Sequence, residues 1–109
     1  MSESAASERR ASPRVAVELD LQLARKVGKP VATRTLDLCS GGARVLSSRP
    51  LRVFEELQFE LMLAAGGMPL TGMARVLRQD LHDVYALRFE QMNDAARREL
   101  EAFIDAGAC

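Results

Sequence analysis

The patterning of this chain predicts a mostly β fold: six short antiparallel strands closed into a small barrel or sandwich, with one amphipathic helix packed on it at the C-terminus. Three observations carry this. Apolar and polar residues alternate in short runs between Val15 and Glu90, and the runs are separated by turn-forming residues, which is the signature of half-buried strands at even spacing. Beyond Asn93 the apolar period lengthens to that of a helix. The chain has 109 residues, 48% of them hydrophobic, enough for one compact domain with one core. No internal repeat or second domain is visible.

Taken in order, Met1 to Ser7 is small and polar and is expected to be a disordered tail. Glu8 to Arg14 is an arginine-bearing loop, because Pro13 cannot donate to a ladder and biases Ser12 toward an extended conformation. Val15, Val17, Leu19, Leu21 and Leu23 alternate with polar or small residues, the cleanest period-two run in the chain. Arg25 to Pro30 is a basic turn. Val31 to Cys39 and Ala43 to Ser48 give the second and third strands, joined by a tight hairpin at Gly41-Gly42, where glycine permits the positive φ such turns use. Arg49-Pro50-Leu51-Arg52 breaks the alternation. Leu57, Phe59, Leu61 and Leu63 mark the fourth strand, and Ala64 to Gly67 a turn. Pro69 to Gln79 is the fifth, with Gly72 marking a bend or a close backbone approach. Val84 to Glu90 is the sixth, with Tyr85, Leu87 and Phe89 on one face. Asn93 or Asp94 can cap the helix. Ala96, Leu100, Phe103 and Ile104 share its apolar side, and Gly107 ends it. The expected organisation is a tail over 1–7, the arginine loop over 8–14, a barrel over 15–90 and the helix over 93–106.

Fifteen basic residues balance fifteen acidic ones, so a long nucleic acid, which calls for a basic excess, is not the expected partner. Cys39 and Cys109 share no metal-ligand or redox spacing, which points to a reducing compartment. No apolar run approaches the roughly 20 residues of a transmembrane helix, and the N-terminus lacks an apolar signal core. A cytoplasmic protein without membrane insertion, monomeric or weakly dimeric, is the expectation. His82, the only histidine, reads as a solvated turn residue. No catalytic constellation and no phosphate loop opening a helix is present, so no enzyme is expected, and no metal.

Two motifs remain. Arg9-Arg10-Ala11-Ser12-Pro13-Arg14 contains RxxxR preceded by a further arginine. Downstream, Asp37-Leu38-Cys39-Ser40-Gly41-Gly42 places a carboxylate, a small side chain and two glycines at a hairpin. Period-two alternation sets Asp37 and Cys39 on one face of their strand. In order and spacing, the pair resembles the signature of the PilZ domain, RxxxR followed by (D/N)xSxxG, over Glu8 to about Asp105. Arg10 and Arg14 match the first half, Asp37 and Gly42 the ends of the second. Cys39 departs from the family serine.

The resemblance implies a six-stranded antiparallel PilZ-type β-barrel with a C-terminal helix, and cyclic di-GMP as ligand. The residue chemistry is compatible with it. An arginine fork matches both the N7/O6 edge of guanine and a phosphate, and can stack on the base. This suits Arg9, Arg10 and Arg14. A carboxylate such as Asp37 can accept from guanine N1–H and the N2 amine. Gly41 and Gly42 keep the backbone low beside the ligand. Cys39 offers a weaker donor and acceptor than a hydroxyl. In this family an arginine immediately before RxxxR accompanies a stacked pair of ligands, so two molecules per domain are implied. The expected mechanism is a receptor whose arginine loop closes over the ligand and signals to a separate protein. The rival is a PilZ-like interaction module that no longer binds cyclic di-GMP. An oligonucleotide-binding barrel is disfavoured, because the four Phe and one Tyr fall mostly at core positions.

Overall fold

A computed structural model describes residues 14–64 and 66–107. The expected tail, Arg9, Arg10 and Cys109 lie outside the described residues. Six strands follow one another: β1 (Asp20–Ala24), β2 (Val31–Cys39), β3 (Gly42–Ser47), β4 (Glu56–Leu61), β5 (Leu70–Leu81) and β6 (Val84–Gln91), then helix α1 (Asp94–Gly107). The strands close into an antiparallel barrel in the order β1-β2-β3-β6-β5-β4. Closure leaves no unpaired sheet edge.

Side-chain alternation fills the interior. Leu21, Leu23, Val31, Val45, Leu57, Phe59, Leu61 and Val76 are buried there. Phe59 and Phe89 pack with ring centroids 4.8 Å apart. Gly72 lies opposite Phe59, and a Cβ there would come within 2.9 Å of the ring and 2.0 Å of the Gln91 carbonyl oxygen. A close approach, one of the two expectations at this glycine, is what the position requires. Helix α1 covers one end of the barrel with Ala96, Leu100 and Ile104 buried at four-residue spacing and Phe103 beside them. Asn93 is its cap: the Asn93 Oδ1 accepts from Ala96 N at 2.7 Å. At the other end the β3–β4 crossover lays Leu51 into the core.

Two expectations change. The run from Val15 does not form one strand with residues 20–24. Val15 makes an isolated bridge to Leu38. Between them, the buried Thr35 hydroxyl accepts from Leu19 N and donates to the Val17 carbonyl. A side chain therefore replaces part of the backbone ladder, and regular pairing starts only at Asp20. The Gly41-Gly42 pair does not supply positive φ either. The turn is Ser40-Gly41, closed by the Cys39↔Gly42 pair, and the positive φ values in the described chain are at Gly28, Gly66 and Phe54. Gly42 serves packing: a Cβ there would sit 2.0 Å from the Leu87 carbonyl oxygen on β6.

Candidate functional site

The site begins with an irregularity in β2. The β2–β3 register shifts between Thr35 and Asp37, which leaves Leu36 as an extra residue, a β-bulge. Val31, Thr33 and Thr35 face the core before it, and Leu38 faces the core after it. The bulge thus turns Asp37 and Cys39 to the outer wall. Asp37 pairs with Arg44, Cys39 with Gly42, and Gly42 in turn with Arg88 of β6.

Asp37 is nearly covered although it faces outward. Arg44 Nε donates to its Oδ2 at 2.9 Å, and Arg14 Nε stands 3.7 Å from its Oδ1. The hydrogen bond to Asp37, followed by that carboxylate's charge, raises the pKa of Arg44 above its ordinary value. Arg44 also reaches Asp80 at 3.8 Å, and Arg78 Nε donates to Asp80 at 2.6 Å. Arg88 and Arg75 both donate to Glu90, at 3.0 and 2.9 Å. These two, Arg75 first, hold the Glu90 carboxyl down to about 2 from its usual 4.5. Arg97 of α1 donates to the Ser40 carbonyl at the turn.

Arg14, Cys39, Gly42, Arg44, Arg78 and Arg88 line a shallow groove of about 220 Å³. Its cations outnumber its carboxylates, and their planar forks suit phosphate and the guanine edge. A larger concavity, about 520 Å³, lies on the wall formed by β1, β4 and β5. It is lined by Gln22, Gln58, Glu60 and Thr71 and contains no cation. For an anionic ligand the smaller, arginine-lined groove is the better fit. Among the described residues no cluster of three metal-ligating side chains occurs.

Of the residues singled out in the sequence, the structure brings Arg14, Cys39, Gly41 and Gly42 to this groove, with Asp37 behind it, held by Arg14 and Arg44. Cys39 is half-buried, and Gly41 is exposed, with open space where a Cβ would be. Arg44, Arg78 and Arg88 were not among the sequence candidates. Arg44 carried a usable signal: two residues beyond Gly42 on one strand, it must share Gly42's face. Arg78 and Arg88 reach the groove through strand pairing, which their own segments do not reveal. His82 is 93% exposed at the β5–β6 turn, beside Asp83.

The PilZ domain family model matches residues 8–106. No curated protein sequence matches the chain. Among solved structures, the chain is similar to the Bacillus subtilis inhibitor of motility MotI/DgrA, at TM-score 0.75 and 19% identity, over 90% of this chain and 50% of that one. It is similar to the PilZ domain of Escherichia coli YcgR solved with c-di-GMP, at TM-score 0.70 and 18% identity, over 92% of both chains. It also resembles the PilZ domain of CeSA from a cellulose-synthesizing bacterium, at TM-score 0.65 and 19% identity, over 86% of this chain and 96% of that one. Against the longer YcgR chain it spans 45% of the length.

Proposed function

Because the chain belongs to the PilZ domain family, we propose that it is a receptor for cyclic di-GMP, a binding module rather than an enzyme. The observation that carries this is the Asp37 carboxylate held between Arg14 and Arg44 on the outer wall, beside the Cys39–Gly42 turn. The likeness to a PilZ domain solved with c-di-GMP supports the same ligand.

Asp37 has acceptor sites left after its two arginine contacts. It takes the N1–H and N2 donors of one guanine. Arg14, with Arg10 from the preceding loop, clamps phosphate and the N7/O6 edge. Arg44, Arg78 and Arg88 add charge along the groove. Closure of the 8–14 loop turns ligand occupancy into a new surface, an ordering switch that a separate protein reads. Arg9 extends the cluster toward a second, stacked ligand.

Isothermal titration with cyclic di-GMP tests this. Saturable binding lost in both Arg10→Ala and Arg14→Ala is expected, with two ligands per chain. Arg9→Ala should reduce that to one. Cys39 in place of serine favours the rival module without ligand, and an absence of both heat and melting shift would overturn the receptor reading and leave that rival as the leading account.

A further inference from the structure

The end of the barrel away from α1 carries a second, unrelated surface. The β1–β2 loop (25–30) and the β3–β4 crossover (48–55) meet there. The Arg25 guanidinium ties them together, donating to the Pro50 carbonyl at 3.0 Å and to Glu55 Oε1 at 3.2 Å.

Each loop holds apolar side chains out in solvent: Val27 is 85% exposed and Phe54 68%, with Val53 next to it at 44%. Phe54 is also in an unfavourable conformation. Glu55 N donates to the Arg52 carbonyl at 3.0 Å, closing a turn whose third residue, Phe54, has φ 72°. That position favours glycine. A large aromatic there is strained and buries little, so the folding of this domain does not account for it.

The surroundings of these tips are cationic. Lys26, Lys29, Arg49 and Arg52 are exposed on the same two loops, and the two lysines are the only ones in the chain. Lys26, Lys29 and Arg49 make no ion pair among the described residues. Three carboxylates at this end pair with arginines, Glu55 with Arg25, Glu56 with Arg75 and Asp80 with Arg78, and Asp83 stands beside His82 at the β5–β6 turn.

We propose that this end docks on an anionic lipid surface, with Val27, Val53 and Phe54 entering the interface and the four cations meeting headgroups. Apolar side chains on separate loop tips with cations beside them fit a fluid surface, which adapts to any spacing. A protein partner would instead need matching pockets. The arginine groove lies on the side wall toward the α1 end and stays open to solution in this orientation.

The test is co-sedimentation of the full chain with vesicles of phosphatidylcholine alone or mixed with phosphatidylglycerol. Binding to the mixed vesicles only, weakened by salt, is expected. Each basic residue near an anionic surface raises affinity about fivefold, so the double variant K26Q/K29Q should bind about 25-fold more weakly. Phe54→Gly should also lose binding while melting no lower than the parent, because glycine relieves the positive φ; loss through unfolding is thereby separated. Failure to sediment with either vesicle, or parent-like binding by the variants, overturns the proposal. So does Lys26- and Lys29-dependent binding to polyglutamate without vesicle binding, which would assign this end to an acidic protein.

Discussion

A methyl group added at Gly42 would meet the Leu87 carbonyl oxygen at 2.0 Å, whereas one added at Gly41 meets nothing within 4 Å. Backbone oxygen in a closed ladder cannot move aside cheaply. Gly42→Ala is therefore expected to destabilise the fold by about 1–3 kcal/mol, and Gly41→Ala to stay within about 0.5 kcal/mol of the parent; urea denaturation of the two variants checks this. The pair shows what a sequence reading reaches at this scale. Two adjacent glycines mark a hairpin, but only the neighbouring strand reveals that one of them is a packing requirement and neither is a positive-φ device. Cys39 gives a second expectation. It sits at the groove beside Gly42, where a hydroxyl would donate and accept better than a thiol. One neutral hydrogen bond contributes about 0.5–1.5 kcal/mol, so Cys39→Ser should tighten cyclic di-GMP up to about tenfold by titration, with little change in melting temperature.

At the scale of elements, the strands were legible because alternation and turn residues are local. The break in the first run was not. It depends on Thr35, sixteen residues from Leu19 in sequence, whose hydroxyl satisfies backbone groups that a regular ladder would otherwise pair. The bulge at Leu36 is similar: a shift in the β2–β3 register leaves no mark in the β2 sequence, yet it decides that Asp37 faces the outer wall and not the core. Between β5 and β6, Glu90 accepts from Arg75 and Arg88, and its pKa lies near 2 in the folded chain against an ordinary 4.5. A depressed carboxylate pKa stabilises the fold fully above the unfolded value and loses that contribution as pH falls toward the folded one. Stability should therefore decline from about pH 4.5 to 2. Glu90→Gln should flatten that decline without abolishing it, because Arg25 also holds Glu55 below its ordinary value. Melting curves across that range provide the measurement. In α1, Leu100 is fully buried against the barrel end, and Leu100→Ala is expected to cost about 2–5 kcal/mol.

The whole molecule distributes these parts over distinct regions: α1 covers one end, the arginine groove lies on the side wall, and the two basic loops occupy the far end. On the proposed reading, recognition and folding stability rest largely on different residues. Arg14 is 56% exposed at its side chain and contributes one long ion pair to Asp37, and exposed pairs of this kind contribute about 0–1 kcal/mol. Removing it should barely move the melting temperature of the free protein. Ligand changes this. A ligand at a hundred times its dissociation constant stabilises the folded state by about 2.7 kcal/mol, which for a domain of this size corresponds to a melting shift of roughly 10–20 °C. That figure is for one site, so with two ligands per chain the parent should show at least that shift with cyclic di-GMP. Arg14→Ala should melt at the parent's unliganded temperature and show no shift, and Gly42→Ala should melt lower from the outset. A melting temperature lowered by several degrees in unliganded Arg14→Ala would mean that Arg14 belongs to the scaffold, and the separation between groove and fold would fail.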